Sequence, residues 1–244
     1  MNRLCQGVVM LLFGGALIRA TLTDMFLRYV KAGLRPFLLT AGILLIAAAV
    51  MTIWYEFRPA PAGHDEPHGD ADDGHGHAHH EPRVGWLLLL PVVALLLISP
   101  PALGAYSAGQ AGTVALSGSD SDYPPLAPGD PAKLSLIDYA SRSLFDGGKS
   151  LAGHTVQLTG FLSPGSDGPP MLARIVLTCC AADGRPIKIG LESAAPIEAP
   201  ADSWVQVVGV YSSQVGTDPV NKAQVAYLTV KTWQQISEPK DPYD

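Results

Sequence analysis

Residues able to do chemistry gather in two places. Residues 63–82 read GHDEPHGDADDGHGHAHHEP and hold six of the chain's seven histidines, His64, His68, His75, His77, His79 and His80. Asp65, Glu66, Asp70, Asp72, Asp73 and Glu81 stand among them. Imidazole is a frequent ligand of divalent transition metals, and carboxylates add charge and hardness. His75, His77, His79 and His80 lie within six residues, and Gly74 and Gly76 leave the backbone free to wrap an ion. A zinc ion takes about four ligands at about 2 Å. The set His64, His68, Asp70, Asp72, Asp73, His75, His77, His79 and His80 supplies them in many combinations. Such redundancy fits loose, exchangeable binding, and the lack of apolar residues predicts no ordered structure without metal. The plain alternative is a solvated acidic linker, against which the concentration of histidine argues. Zinc is the first candidate, with nickel, cobalt and copper behind it.

The second place is ARIVLTCCAADG, residues 173–184, with Cys179, Cys180, Asp183 and Arg174. Two thiols and a carboxylate make a possible soft-metal or redox site. The alternative is that both cysteines are small core residues and that Asp183-Gly184 is a hairpin turn. Neighbours in a strand face opposite ways, so both thiols reach one ion only if the strand has ended before them. Arg174 is expected to pair with Asp183 or another buried carboxylate. His154 stands alone and reads as a strand-edge histidine. The third cysteine, Cys5, completes neither a disulfide framework nor a CxxC zinc motif. No Ser/His/Asp set and no phosphate loop is present, so no enzyme is expected.

Three apolar runs are placed to position these groups. The chain has 244 residues and a formal net charge of −6, too acidic for a nucleic-acid binder working through phosphate contacts. A mean hydropathy of +0.21 points to a membrane protein with a soluble part. Transmembrane helices are expected at about 4–22, 37–54 and 84–99, in a membrane domain over residues 1–103. The first run also resembles a signal peptide, but no small-residue cleavage site follows it. The second starts after Pro36 and ends on Trp54 and Tyr55; the third carries Pro91 and stops at Pro100-Pro101. Lys and Arg are nearly balanced between the two sides. The segment after the third run has none up to Pro131, which favours a plasma-membrane topology with the carboxyl-terminal domain extracytoplasmic.

Residues 104–132 read as a flexible, low-complexity linker. A short amphipathic helix is expected at 134–145, from apolar residues at helical spacing. Five short strands follow at 154–162, 171–178, 185–191, 203–211 and 225–233, separated by Gly/Pro/Asp turns. They predict a small OB-like five-stranded barrel over 133–244, with Gly160 and Gly209 at corners or bulges. The fold class is therefore membrane α plus all-β.

This layout resembles the YcgQ-like family of membrane proteins. The resemblance spans nearly the full chain. It is carried by Gly160-Phe161, by Ala173-Arg174 with Cys179-Cys180-Ala181-Ala182-Asp183, by Trp204-Val205-Gln206-Val207-Val208-Gly209, and by the terminal Pro239-Lys240-Asp241-Pro242-Tyr243. It implies an OB-like terminal domain and a subunit of a two-component permease, partnered by a larger polytopic permease of YcgR-like type. Because family members can carry one cysteine in the motif, it also implies that Cys180, Asp183 and Arg174 are the shared elements.

Three spans are too few for a transport path, and Arg19 is the single ionisable residue near a membrane core. The expected function is an accessory subunit of a divalent-metal permease, zinc first, whose His-rich loop collects or senses metal. The alternative is a membrane-anchored ligand-binding module with a metal-buffering loop and no transport role.

Overall fold

A computed structural model describes residues 3–58, 101–118, 123–164 and 170–244. The expected third span at 84–99 and the histidine-rich run at 63–82 lie outside the described residues. The chain divides into two compact units: Met1–Met25 with Gly33–Pro100, and Phe26–Ala32 with Pro101–Asp244.

The first unit contains helices α1 (Arg3–Leu22) and α2 (Arg35–Phe57). Pro36 falls in the first turn of α2, where its missing N–H leaves no helical bond unmade. The two helices meet through small residues. Gly7, Gly14 and Thr21 are the buried positions of α1, and Gly42 and Ala49 those of α2. These recur every seven residues, so each set forms one stripe along its helix. The approach is close: a Cβ added to Gly14 would lie 2.8 Å from Ile46 Cγ1 and 2.9 Å from the Gly42 carbonyl oxygen. Small residues that let backbones approach are the usual seam of membrane helix pairs. Leu12, Phe37, Leu44, Met51 and Trp54 stay exposed. Both helices are long and apolar enough to cross a membrane.

The second unit is built on a closed five-stranded barrel. Its strands are β2 (Val156–Ser163), β3 (Met171–Val176), β4 (Arg185–Glu192), β5 (Trp204–Thr217) and β6 (Gln224–Gln235). They run in the order β2-β3-β4-β6-β5, and β5 pairs back onto β2 to close the ring. The β4–β6 pair is parallel and the other barrel pairs are antiparallel. A two-residue strand, β1 (Ala132–Lys133), adds to β2 in parallel. Gly209 sits at a register shift between β5 and β6, where an added Cβ would collide with the Thr229 carbonyl oxygen. That meets the expectation of a glycine at a bulge.

The barrel core is Val156, Leu158, Leu172, Ile187, Ile189, Val205, Val207 and Leu228, all buried. Helix α4 (Leu136–Phe145) covers it with Leu136, Tyr139 and Ala140. Ser135 caps this helix by accepting the Asp138 N–H at 3.1 Å. The Tyr139 hydroxyl donates to the Tyr227 carbonyl, so the buried ring leaves no polar atom unpaired.

The described part of 104–132 departs from a flexible linker. Helix α3 (Ala105–Gln110) buries Ala105 and Ala108 in a second cluster with Phe161, Ala173, Ile175, Leu177 and Tyr243. The Thr113 N–H donates to Asp218 Oδ2 at 3.1 Å and the Val114 N–H to the Pro186 carbonyl at 2.8 Å. The physical reason is composition: small Ala, Gly and Ser residues let this backbone lie flat on the barrel, whose own polar groups satisfy it. Beneath it, Lys188 Nζ stands 2.9 Å from Asp218 Oδ2, with both side chains buried. It also donates to the Ala111 carbonyl at 2.9 Å.

Candidate metal centre

Strand β3 ends at Val176, before the cysteines. Leu177 is buried, and Thr178, Cys179 and Cys180 then lead into a 3₁₀ turn at Ala181–Asp183. The condition for converging thiols is thus met, since the alternation of a strand has stopped.

Asp183 organises the turn. Its Oδ1 accepts the Thr178 N–H at 2.8 Å, and its Oδ2 accepts the N–H groups of Cys179 at 2.8 Å and Cys180 at 3.3 Å. Three successive amides aimed at one carboxylate form a small anion nest. The Cys179 thiol donates to the same carboxylate, and together these bonds hold Asp183 down at about 2. In return, the bond to Asp183 and the neighbouring Cys180 push the Cys179 thiol up to about 11. At neutral pH it is therefore a thiol rather than a nucleophilic thiolate.

The ligand atoms of Cys179, Cys180 and Asp183 all lie within 4.8 Å of one another. Cys179 is exposed, and Cys180 and Asp183 are half-buried. A tetrahedral ion with Zn–S of about 2.3 Å separates its sulfurs by under about 4 Å, a closure that thiol rotation supplies. Two thiolates and one carboxylate suit a thiophilic divalent ion and leave a coordination position open to an outside ligand.

A segment from far upstream completes the setting. Val30 forms an antiparallel bridge with Cys180. The Lys31 N–H donates to the Cys179 carbonyl at 3.1 Å, and the Ala181 N–H donates to the Tyr29 carbonyl at 2.7 Å. Lys31 Nζ donates to the Leu177 carbonyl at 3.2 Å. Phe26 is buried.

Arg174 is not part of the thiol cluster. It was expected to meet Asp183 or another buried carboxylate, and the partner is Asp244. Nε lies 3.1 Å from Asp244 Oδ1, at an angle too bent for a hydrogen bond. Nη2 donates to the carbonyls of Asp241 at 2.8 Å and Tyr243 at 3.0 Å. The guanidinium also lies 5.8 Å from the centroid of the Trp204 ring. The reason is geometric: Asp183 is turned toward the local amides of residues 178–180, while the tail runs beside β3, with Tyr243 bridged in parallel to Ile175. The Tyr243 hydroxyl accepts the Leu103 N–H at 3.1 Å and donates to the Arg28 carbonyl at 2.7 Å.

His154 is exposed in the turn before β2. The candidate ligands His64, His68, Asp70, Asp72, Asp73, His75, His77, His79 and His80 lie outside the described residues. Sequence reasoning missed the connector residues Tyr29, Val30 and Lys31, which carry no local signal. It also missed Lys188 with Asp218, where a lysine amid the apolar run of β4 was a legible sign of a buried ion pair.

Fold and cluster define a class: a closed five-stranded barrel bearing a two-thiol, one-carboxylate cluster, in a chain with two apolar helices long enough to cross a membrane. Residues 143–243 match the family model described as the DUF1980 C-terminal domain, an uncharacterised family. The matched part runs from inside α4 through every barrel strand to Tyr243 and includes Arg174 and Asp183. No curated protein and no solved structure matches this chain.

Proposed function

We propose that this chain is a membrane-anchored, divalent-metal-handling subunit of a permease, working beside a larger polytopic partner, with zinc as its foremost metal. The observation that carries this reading is the convergence of Cys179, Cys180 and Asp183 at the end of β3, with one coordination position left open. An open, exposed site suits exchange of an ion rather than permanent structural binding. The strand order, with β4–β6 as the one parallel pair among the five barrel strands, supports an OB-like barrel.

Connectivity supports three spans. The connector Phe26–Ala32 is bound to the carboxyl-terminal unit, so the two share one side of the membrane. If α2 crosses, the chain leaves that side and must cross once more before Pro101. The run at 84–99 is the apolar stretch in the sequence able to do so. The histidine-rich run then faces the opposite side, as a collector or sensor, and the barrel is extracytoplasmic. Three spans hold too few polar groups for a transport path, which is the reason for a partner.

The test is cellular. Deletion of residues 63–82, and separately the Cys179→Ser/Cys180→Ser pair, is expected to change cellular zinc and growth under zinc limitation or excess. If both leave zinc and growth unmoved, the metal reading fails. Purification under mild detergent is expected to bring down a polytopic membrane protein; a chain that purifies alone is a stand-alone binding module. Labelling of Cys179 in intact cells, with none gained on lysis, is expected for an extracytoplasmic barrel.

A further inference from the structure

We propose that the connector between α1 and α2 reads the metal state of the thiol cluster: an ion on Cys179, Cys180 and Asp183 tightens the hold of the carboxyl-terminal unit on Phe26–Ala32. This rests on the metal reading above and adds its regulation.

The same three residues serve both purposes. Cys179 offers its sulfur to an ion and its carbonyl to the Lys31 N–H. Cys180 offers its sulfur, and its backbone bridges Val30. Asp183 offers a carboxylate oxygen, and that carboxylate fixes the amides of residues 178–180. The 3₁₀ turn that Asp183 ends also presents the Ala181 N–H to Tyr29. The backbone-to-backbone bonds between the turn and the connector therefore lie within the stretch an ion would cross-link, while the Leu177 carbonyl that accepts Lys31 Nζ lies just before it.

Loading balances as one divalent ion plus two thiols and one carboxylate, giving a bis-thiolate carboxylate complex and two released protons. The net charge of the cluster is −1 before and after, so the field felt by Lys31 does not change. The effect is on freedom. An unloaded turn holds its donors through hydrogen bonds alone, whereas a loaded one closes covalent-strength chelate rings across residues 179, 180 and 183. Backbone torsions that aim the Cys179 carbonyl and the Ala181 N–H are then fixed in advance, and docking of the connector costs less ordering. Linkage makes the coupling reciprocal: a docked connector raises metal affinity by the same factor. Coupled sites commonly differ by about ten-fold. The connector joins α1 to α2, so this is a route by which the thiol cluster acts on the membrane helices.

The experiment uses the full chain in detergent micelles and Co²⁺ as probe. Absorption from thiolate-to-cobalt charge transfer reports binding at the cysteines and is blind to imidazole ligands. Hydrogen exchange of peptides covering residues 26–32 and 177–184 is followed in the same samples. The expected result is a charge-transfer band, exchange at Lys31 and Ala181 slowed about ten-fold, and loss of both effects in Cys179→Ser/Cys180→Ser. Lys31→Pro, which removes the donor to Cys179, is expected to weaken Co²⁺ binding about ten-fold while leaving the shape of the band unchanged. A band with unchanged connector exchange overturns the coupling and leaves the metal site standing. No band overturns both.

Discussion

Arg174→Met removes the charged guanidinium from the clamp on the tail while keeping an unbranched apolar stem. Arg174 makes two hydrogen bonds, to the Asp241 and Tyr243 carbonyls at 2.8 and 3.0 Å, and an ion pair with Asp244 at 3.1 Å. The two side chains are only 16% and 5% exposed. Each bond from a charged donor contributes about 1.5–3 kcal/mol. The variant also leaves the Asp244 carboxylate buried, with the Leu136 N–H at 3.0 Å among its remaining partners. These terms overlap, and removal of one member of a buried pair costs about 3–5 kcal/mol as a whole. The pH dependence follows from Asp244. Burial raises its pKa, and the Arg174 charge offsets part of that rise. Without the cation the carboxyl moves further up. A raised carboxyl holds its proton longer folded than unfolded, so stability falls as pH climbs from the unfolded value to the folded one. The part of the Arg174→Met deficit that comes from Asp244 should thus be smallest below the ordinary carboxyl range and grow as pH rises through it, on top of a pH-independent part from the two lost carbonyl bonds. Urea unfolding followed by tryptophan fluorescence reads both. Adding Asp244→Leu removes the orphaned charge and should recover most of the loss. A deficit under about 1 kcal/mol at neutral pH, or one that does not change with pH, refutes the clamp.

Three further outcomes are expected. Lys188→Met leaves Asp218 fully buried with its Thr113 and Val220 amide bonds, and should cost about 3–5 kcal/mol in the same unfolding assay. Burial works to raise the Asp218 carboxyl, but the Lys188 bond and the two amides outweigh it and hold the group low. Its stabilising effect is therefore present above the ordinary carboxyl range and is lost as pH falls through the lowered value, and Lys188→Met should shift that acid transition upward. Gly14→Leu drives a side chain into Ile46 and the Gly42 backbone and should lower helix-pair stability by about 1–3 kcal/mol. Gly15→Leu, with open space around it, should leave the thermal aggregation temperature in detergent unchanged. Finally, Cys179 should alkylate slowly at neutral pH and faster as pH climbs toward about 11. Asp183→Asn removes the charge that holds the proton and should speed the neutral-pH reaction; equal rates in both proteins would discard the thiol–carboxylate bond.

The five barrel strands and the helix at Leu136–Phe145 were legible because their signals are local: alternation, turn residues and helical spacing within one short window. Two apolar helices long enough to cross a membrane were legible for the same reason, since a long run with few charges needs no partner to identify it. The cluster was half legible. Cys179, Cys180 and Asp183 are close in sequence, so their meeting required only that the strand end first. Arg174 was singled out, but its partner Asp244 lies at the far end of the barrel sequence, and nothing local chooses it over Asp183. The packing of residues 105–114 was hidden by their composition, because small polar-flanked residues read as linker even where their backbone is held. The connector was illegible for a deeper reason. It docks largely through carbonyls and amides, which every residue possesses, and even Lys31 Nζ reaches a backbone carbonyl, so no pairing of side-chain types marks it.

That backbone docking is informative about what the clasps are for. The barrel closes by β5 pairing with β2, and the tail covers the stretch of β3 that β2 leaves unpaired through the Tyr243–Ile175 bridge, so the connector pairs with the turn beyond β3 rather than with a barrel edge. Yet the seven residues Phe26–Ala32 are held twice, by the thiol turn at Tyr29 and Lys31 and by the Tyr243 hydroxyl at Arg28. Tyr243 is in turn fixed by Arg174 from within β3. Both clasps therefore trace back to β3 and the turn that follows it. One of them is a rigid clamp of charge on backbone. The other is a turn whose donors can also take an ion. On the proposed coupling, a segment held by one fixed and one ligand-responsive clasp would keep its place when the ion leaves, and would change only how firmly it is held at the end nearer α2.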